Sequence, residues 1–163
     1  MPSFHFSLNA RIASILSFVA LFTLMPSVSL AQQEPQCKIE ISSPRPGTPV
    51  GGDYLIKGSA QVPAGTYLWV FVHVRGLALW WPQGGGPVVV EKNGKWEALA
   101  FFGIERDAGK DFEIAVAALD SEANIDLLKW YKRTEDTGQY PGMRFPSVIK
   151  GCPIERMTVT KMK

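Results

Sequence analysis

The sequence predicts an all-β fold, an antiparallel sandwich with one helix inserted before its last strand. Three observations lead there. About seven short β-prone runs follow one another, mostly joined by turns rich in Gly, Pro and Asn. One of them, Tyr67 to Val74, is apolar on both of its faces. Beyond residue 31 the chain holds two cysteines, Cys37 and Cys152, which sit near the two ends of the predicted domain.

Residues 1–31 read as a secretory signal peptide. Arg11 is their only charge with His5 neutral, and an apolar run from Ile12 to Met25 follows it. Pro26 ends the run, and Ser29-Leu30-Ala31 places small residues at the −3 and −1 positions of a cut before Gln32. A membrane span needs about 20 apolar residues, more than this run offers. The alternative is an uncleaved anchor. A lipoprotein signal does not fit, because Glu34-Pro35-Gln36 precedes Cys37 where small apolar residues belong. Export implies a periplasmic or secreted protein with no stable membrane span after cleavage.

Residues 32–36 form a polar leader, and residues 37–163 form one domain, long enough for a real core. With Arg11 removed, the 17 basic and 15 acidic side chains of the chain become nearly balanced. No basic stripe stands out, which argues against nucleic acid as a partner. In an oxidising compartment an even cysteine pair is usually a disulfide. The alternative, a thiol pair for metal or redox chemistry, has no Cys-x-x-Cys and only His73 beside it after residue 31.

Along the domain, Cys37 to Ser42 alternates and reads as a strand. Ser43 to Gly52 is a loop whose prolines lack backbone donors and cannot lie mid-sheet. Tyr54 to Ala60 is the second strand, and Pro63-Ala64-Gly65 a turn. The third strand, Tyr67 to Val74, carries aliphatic residues at even positions and Tyr, Trp, Phe and His at odd ones. Side chains alternate faces along a strand, so this strand is expected to be central and covered on both sides. Asn93-Gly94 between Val88–Glu91 and Lys95–Phe102 predicts a hairpin. Asp111 to Leu119 is another strand. From Ser121 to Arg133 the period becomes helical, with Ser121 as cap, Ala123, Leu127 and Trp130 on one face, and Lys129, Lys132 and Arg133 near the end. Gly138, Pro141 and Pro146 make the return loop, and Ile154 to Thr160 the last strand. Cys37 and Cys152 then lie on elements that can neighbour each other in a sandwich.

The order of motifs resembles a known family. Ile41, Ser43-Pro44, Pro46-Gly47 and Val50, followed by Lys57-Gly58-Ser59-Ala60, resemble the opening of bacterial immunoglobulin-like domains. Leu68-Trp69-Val70 with Val72, then Trp81-Pro82-Gln83, Asn93-Gly94-Lys95-Trp96 and Phe112-Glu113-Ile114, are similar to a group of bacterial immunoglobulin-like accessory domains. Their pattern is an "lWvxV" strand, a "yyPQ" element, a "dGxW" turn and an "feI" strand. Phe145-Pro146 and Met157-Thr158-Val159-Thr160 fit its close. The resemblance covers most of residues 39–161. It departs at Trp80-Trp81, where tyrosines are commoner, and in the cysteine pair and the exported setting. It implies an immunoglobulin-like β-sandwich engaged in recognition, often beside other domains. No second domain is read in this sequence, so that contextual role does not carry over.

No catalytic set is legible. His73 has no nucleophile or orienting group placed beside it by sequence, and no Gly-x-Ser-x-Gly occurs. A hydrolase would need His73 within reach of a hydroxyl or carboxylate. Glu105, Asp107 and Asp111, and again Asp120, Glu122 and Asp126, offer oxygen ligands but match no calcium loop. Gly84-Gly85-Gly86 lacks the Lys-Ser/Thr of a phosphate loop. Neither a cofactor nor a metal is expected, and the chain is expected not to be an enzyme.

The candidate binding residues are Trp80, Trp81 and Gln83 in the Gly- and aromatic-rich loop, with Tyr67. Adjacent tryptophans grip partners well, because aromatics dominate interface energetics. The expected function is recognition of an envelope or extracellular macromolecule, protein or glycan. The alternative is a glycan-binding module in which Trp80, Trp81 and Tyr67 form a coplanar array on an open face. Under the first reading alanine at Trp80 or Trp81 is expected to leave folding intact and abolish capture. The opposing possibility is that both rings pack inside.

Overall fold

The computed structural model describes residues 37–163; the predicted signal peptide and polar leader lie outside them. Eight strands and one helix run in the order β1 (Lys38–Ser43), β2 (Pro49–Val50), β3 (Asp53–Gln61), β4 (Tyr67–Val74), β5 (Trp81–Pro82), β6 (Lys95–Phe101), β7 (Asp111–Leu119), α1 (Ser121–Thr137) and β8 (Glu155–Lys161). They form a three-stranded sheet, β1-β3-β6, and a five-stranded sheet, β2-β8-β7-β4-β5. Every pairing is antiparallel except β2 with β8.

Alternation explains why the sheets face each other. On β3 and β6 the inward residues Ile56, Ala60, Trp96, Ala98 and Ala100 are buried, while Lys57, Ser59, Lys95 and Glu97 face water. The inward set packs against Leu68, Val70 and Val72 of β4 and Phe112, Ile114 and Val116 of β7 in one apolar cluster. Gly58 is required within it: a Cβ there would stand 2.1 Å from the Glu40 carbonyl oxygen and 2.2 Å from the Trp96 ring.

The other face of the five-stranded sheet is covered too. Trp69 and Phe71 stand opposite Ala117 and Ala115 across β4 and β7. Those alanines leave room for the large rings and for Leu127 of α1, which join Trp80 in a second buried cluster. Both faces of β4 are therefore dry, as its sequence requires. Its position differs from a fully central one. β7 pairs with it along its length, but its other edge meets only Trp81-Pro82, with further backbone bonds to Val70 from Gln83 and to Leu68 from Val88.

Three further expectations change. Val88–Glu91 is not a strand. Val88 bonds Leu68 of one sheet while Glu91 bonds Lys95 of the other, so the segment is the crossover between sheets and only the turn before Lys95 survives. The helix cap is Asp120, not Ser121: its carboxylate accepts the Ala123 N–H at 2.8 Å, satisfying an otherwise orphan donor. The helix also runs past Arg133 to Thr137 and stops at Gly138 in the left-handed region, so Lys129, Lys132 and Arg133 lie in its body and not in its last turn. The proline-rich loop keeps to the sheet margin, where Pro49 opens the short edge strand β2.

Cys37 and Cys152 form a disulfide, with Cα atoms 5.0 Å apart and 115 residues between them in sequence. It ties the start of β1 to the turn before β8 at the margin of the inter-sheet core.

Candidate functional site

Beside β5, the two sheets part and leave a groove of about 900 Å³. One wall is the end of β6 and the 3-10 turn at Glu105–Asp107; the other is α1 with the loop after it. A volume of this order can hold most of a small organic ligand or a segment of a larger one.

Trp81 and Gln83 line this groove, whereas Trp80 and Tyr67 do not. Gln83 is held from three sides. Its backbone N–H bonds the Val70 carbonyl at 2.8 Å, its Oε1 accepts the Phe101 N–H at 2.8 Å, and its Nε2 donates to the Trp81 carbonyl at 3.0 Å. The side chain thus stands where a neighbouring strand would pair with β6. It joins the edges of the two sheets and forms groove wall. Trp81 is half-buried. Its indole N–H donates to the Tyr140 carbonyl at 2.9 Å, and its six-membered ring lies so close to Gly142 that a Cβ there would stand 2.8 Å away.

Trp80 points the other way, as adjacent residues of an extended segment must. It is 6% exposed. Its ring stacks on His73 at 3.8 Å between centroids, meets Phe145 edge-on, and receives the Arg156 guanidinium at 5.2 Å. The expectation that alanine at Trp80 leaves folding intact is corrected by this burial. Tyr67 packs half-buried against the helix-side cluster, so the coplanar array of Trp80, Trp81 and Tyr67 is not assembled.

His73 is buried and has a carboxylate near it. Nε2 lies 3.5 Å from Oε2 of Glu113, whose other oxygen is bonded to Arg156, and Nδ1 lies 3.0 Å from the Leu77 carbonyl oxygen. A carbonyl can only accept, so Nδ1 carries the proton there. Neither ring nitrogen is hydrogen-bonded to a hydroxyl among the described residues. The geometry fastens the loop after β4 to the sheet. Four of the six carboxylates considered as oxygen ligands are engaged locally as well: Asp107 with Lys110 and the Ile104 N–H, Asp111 with Thr160, Asp126 with Lys129, and Asp120 as helix cap. Among the described residues no group of three His, Cys, Asp or Glu converges on a point, and no helix is long and apolar enough to cross a membrane.

Sequence reasoning missed most of the groove. Trp130, Tyr131, Glu135 and Tyr140 come from α1 and the loop that follows, and Phe101 and Ile104 from the opposite wall. Tyr131 packs on Trp69, and burial pushes its phenol up to about 12, while its oxygen accepts the Gly85 N–H. It is a neutral phenol at physiological pH. Phe101 and Ile104, each 58% exposed, and Leu77 and Tyr140 at the other lip extend apolar surface out of the groove. The available clue was Phe101, which with Leu99 puts apolar side chains on the solvent side of β6 where Lys95 and Glu97 precede them.

Compared with known proteins, the chain matches no family model, and no curated protein matches it significantly.

Proposed function

We propose that this chain is an exported immunoglobulin-like recognition domain that holds part of an envelope or extracellular macromolecule in the groove beside Trp81. The groove carries the reading: a large concavity with aromatic walls and apolar lips, built on two sheets and a helix. Apolar aromatic surface kept in water is what a binding site offers before its partner arrives. The disulfide fits an oxidising compartment, and the two facing sheets fit the immunoglobulin-like pattern of the motifs. No catalytic role is assigned to His73, whose ring is engaged in fastening a loop.

The test is capture from envelope fractions by the immobilised protein, compared with Trp81→Ala and Phe101→Ala. Both variants retain the fold by circular dichroism and lose the bound partner. Equal recovery by wild type and both variants would place the function elsewhere on the surface.

A further inference from the structure

Resting on that reading, we infer that the group seated in the groove is a quaternary ammonium headgroup. Four aromatic side chains line the helix side: Trp81, Trp130, Tyr131 and Tyr140. Trp130 stands at 88° to Tyr131 and 65° to Tyr140, at centroid distances of 5.1 and 6.2 Å. Rings that meet edge to face at these distances make one angled aromatic wall, unlike the coplanar array that suits a flat sugar face.

Both indole N–H groups of this wall are already used. Trp81 donates to the Tyr140 carbonyl and Trp130 to the Pro141 carbonyl at 3.1 Å. The wall therefore offers no free indole donor, and aromatic rings attract cations to their faces. Glu135 lines the same groove one helical turn beyond Tyr131. It makes no ion pair with a described residue, so it supplies negative charge beside the rings.

Acceptors decide which cation. A primary ammonium is strongly hydrated and needs about three acceptors to replace its water. Here Gln83 Oε1 is taken by Phe101, Asp107 by Lys110 and Ile104, and the two loop carbonyls by the indoles. Glu135 is left. A quaternary ammonium has no N–H to satisfy and needs only π surface and a nearby anion. Arg106, on the opposite wall, likewise makes no ion pair with a described residue and is available to an anionic group on the same ligand.

The experiment titrates the purified protein with tetramethylammonium chloride and follows tryptophan fluorescence, with sodium chloride as the ionic-strength control. Saturable binding is expected, with affinity on the order of millimolar for so small a probe. Glu135→Gln and Tyr140→Ala each weaken it about threefold or more, with thermal unfolding unchanged. Butylammonium binds more weakly than tetramethylammonium. Phosphocholine binds more tightly than choline, and Arg106→Gln removes that difference. Sedimentation with phosphatidylcholine vesicles distinguishes a lipid source from a free headgroup: co-sedimentation that tetramethylammonium competes away assigns the lipid, and none assigns the soluble compound. No saturable response, a response both variants share with wild type, tighter binding of butylammonium, or binding of a neutral oligosaccharide while tetramethylammonium is silent each overturns the assignment. If tetramethylammonium fails while Trp81→Ala still loses the captured partner, the recognition groove stands and only its ligand class falls.

Discussion

The two faces of the five-stranded sheet are built on different physics. Between the sheets, the core is mostly aliphatic and set by alternation. Most of its members are interchangeable in kind: Leu68, Val70 and Val72 against Ile56 and Ala98. On the helix side, the layer is aromatic, and several of its polar ends are individually tied off, Trp69 to Asn124 at 3.0 Å and Trp130 to Pro141. Trp96, alone among the aliphatics of β3 and β6, shows the contrast from within: its buried indole N–H has no partner. A core set by pattern tolerates a rough fit. A layer set by named hydrogen bonds fails when one partner goes, because a buried unpaired donor keeps its full desolvation penalty. The groove opens at the margin of the second kind of region.

The largest expected effect lies on the inter-sheet side and is covalent. Replacing Cys37 and Cys152 by serine removes a cross-link spanning 115 residues and should lower unfolding free energy by about 4 kcal/mol. Urea denaturation of oxidised and reduced protein measures it. A loss under about 1 kcal/mol would mean that alternation alone holds this side together.

The second prediction separates neighbours. Trp80→Ala should cost about 3 kcal/mol, since it empties the space between His73, Phe145 and Arg156. Trp81→Ala should cost less than about 1 kcal/mol, its ring being half in the groove. Thermal melts of the two variants suffice. Equal losses would erase the boundary between layer and groove.

These cases show what the sequence made legible. The strands Tyr67–Val74 and Asp111–Leu119 could be read to the residue, because burial on both faces writes long apolar runs. The cysteine pair was legible from redox compartment and count. Which of two adjacent tryptophans turns inward was not, since it depends on where β5 meets β4, and a two-residue strand has no pattern of its own. Val88-Val89-Val90 looked like a strand for the same reason that crossovers between sheets can be apolar. The rest of the groove was hidden because Tyr131, Glu135 and Tyr140 meet Phe101 and Ile104 only through tertiary packing.

The third prediction tests the helix-side layer through one hydrogen bond. Asn124 is buried, and its Oδ1 accepts from the Trp69 indole. Asn124→Ala should cost about 2 kcal/mol, more than its lost volume warrants, because the indole N–H is stranded. Trp69→Phe in the Asn124→Ala background removes the stranded donor. A double-mutant cycle by urea unfolding should therefore show coupling of about 1 kcal/mol or more. Additive losses would mean this layer, like the other, is held by packing alone.

The smallest effect sits at the groove wall and depends on pH. Asp107 accepts from the Lys110 ammonium and the Ile104 N–H, and these bonds, the lysine's first, hold its carboxyl below its ordinary value of 3.8. A carboxyl lowered by folding contributes its full stabilisation above that ordinary value and loses it as pH falls through the lowered one. The Ile104 carbonyl also accepts from the buried Lys161 at 2.7 Å and from the Asp107 backbone N–H at 2.9 Å, so release of the Asp107 carboxylate frees the Ile104 amide and leaves its carbonyl anchored. Acidification should therefore reduce the hydrogen-exchange protection factor of the Ile104 amide while amides of β4 and β7 keep theirs. Asp107→Asn should reproduce the reduction at neutral pH. An Ile104 protection factor that tracks those of β4 at every pH would show that this wall opens only when the whole domain does, and that the groove belongs to the rigid part of the molecule.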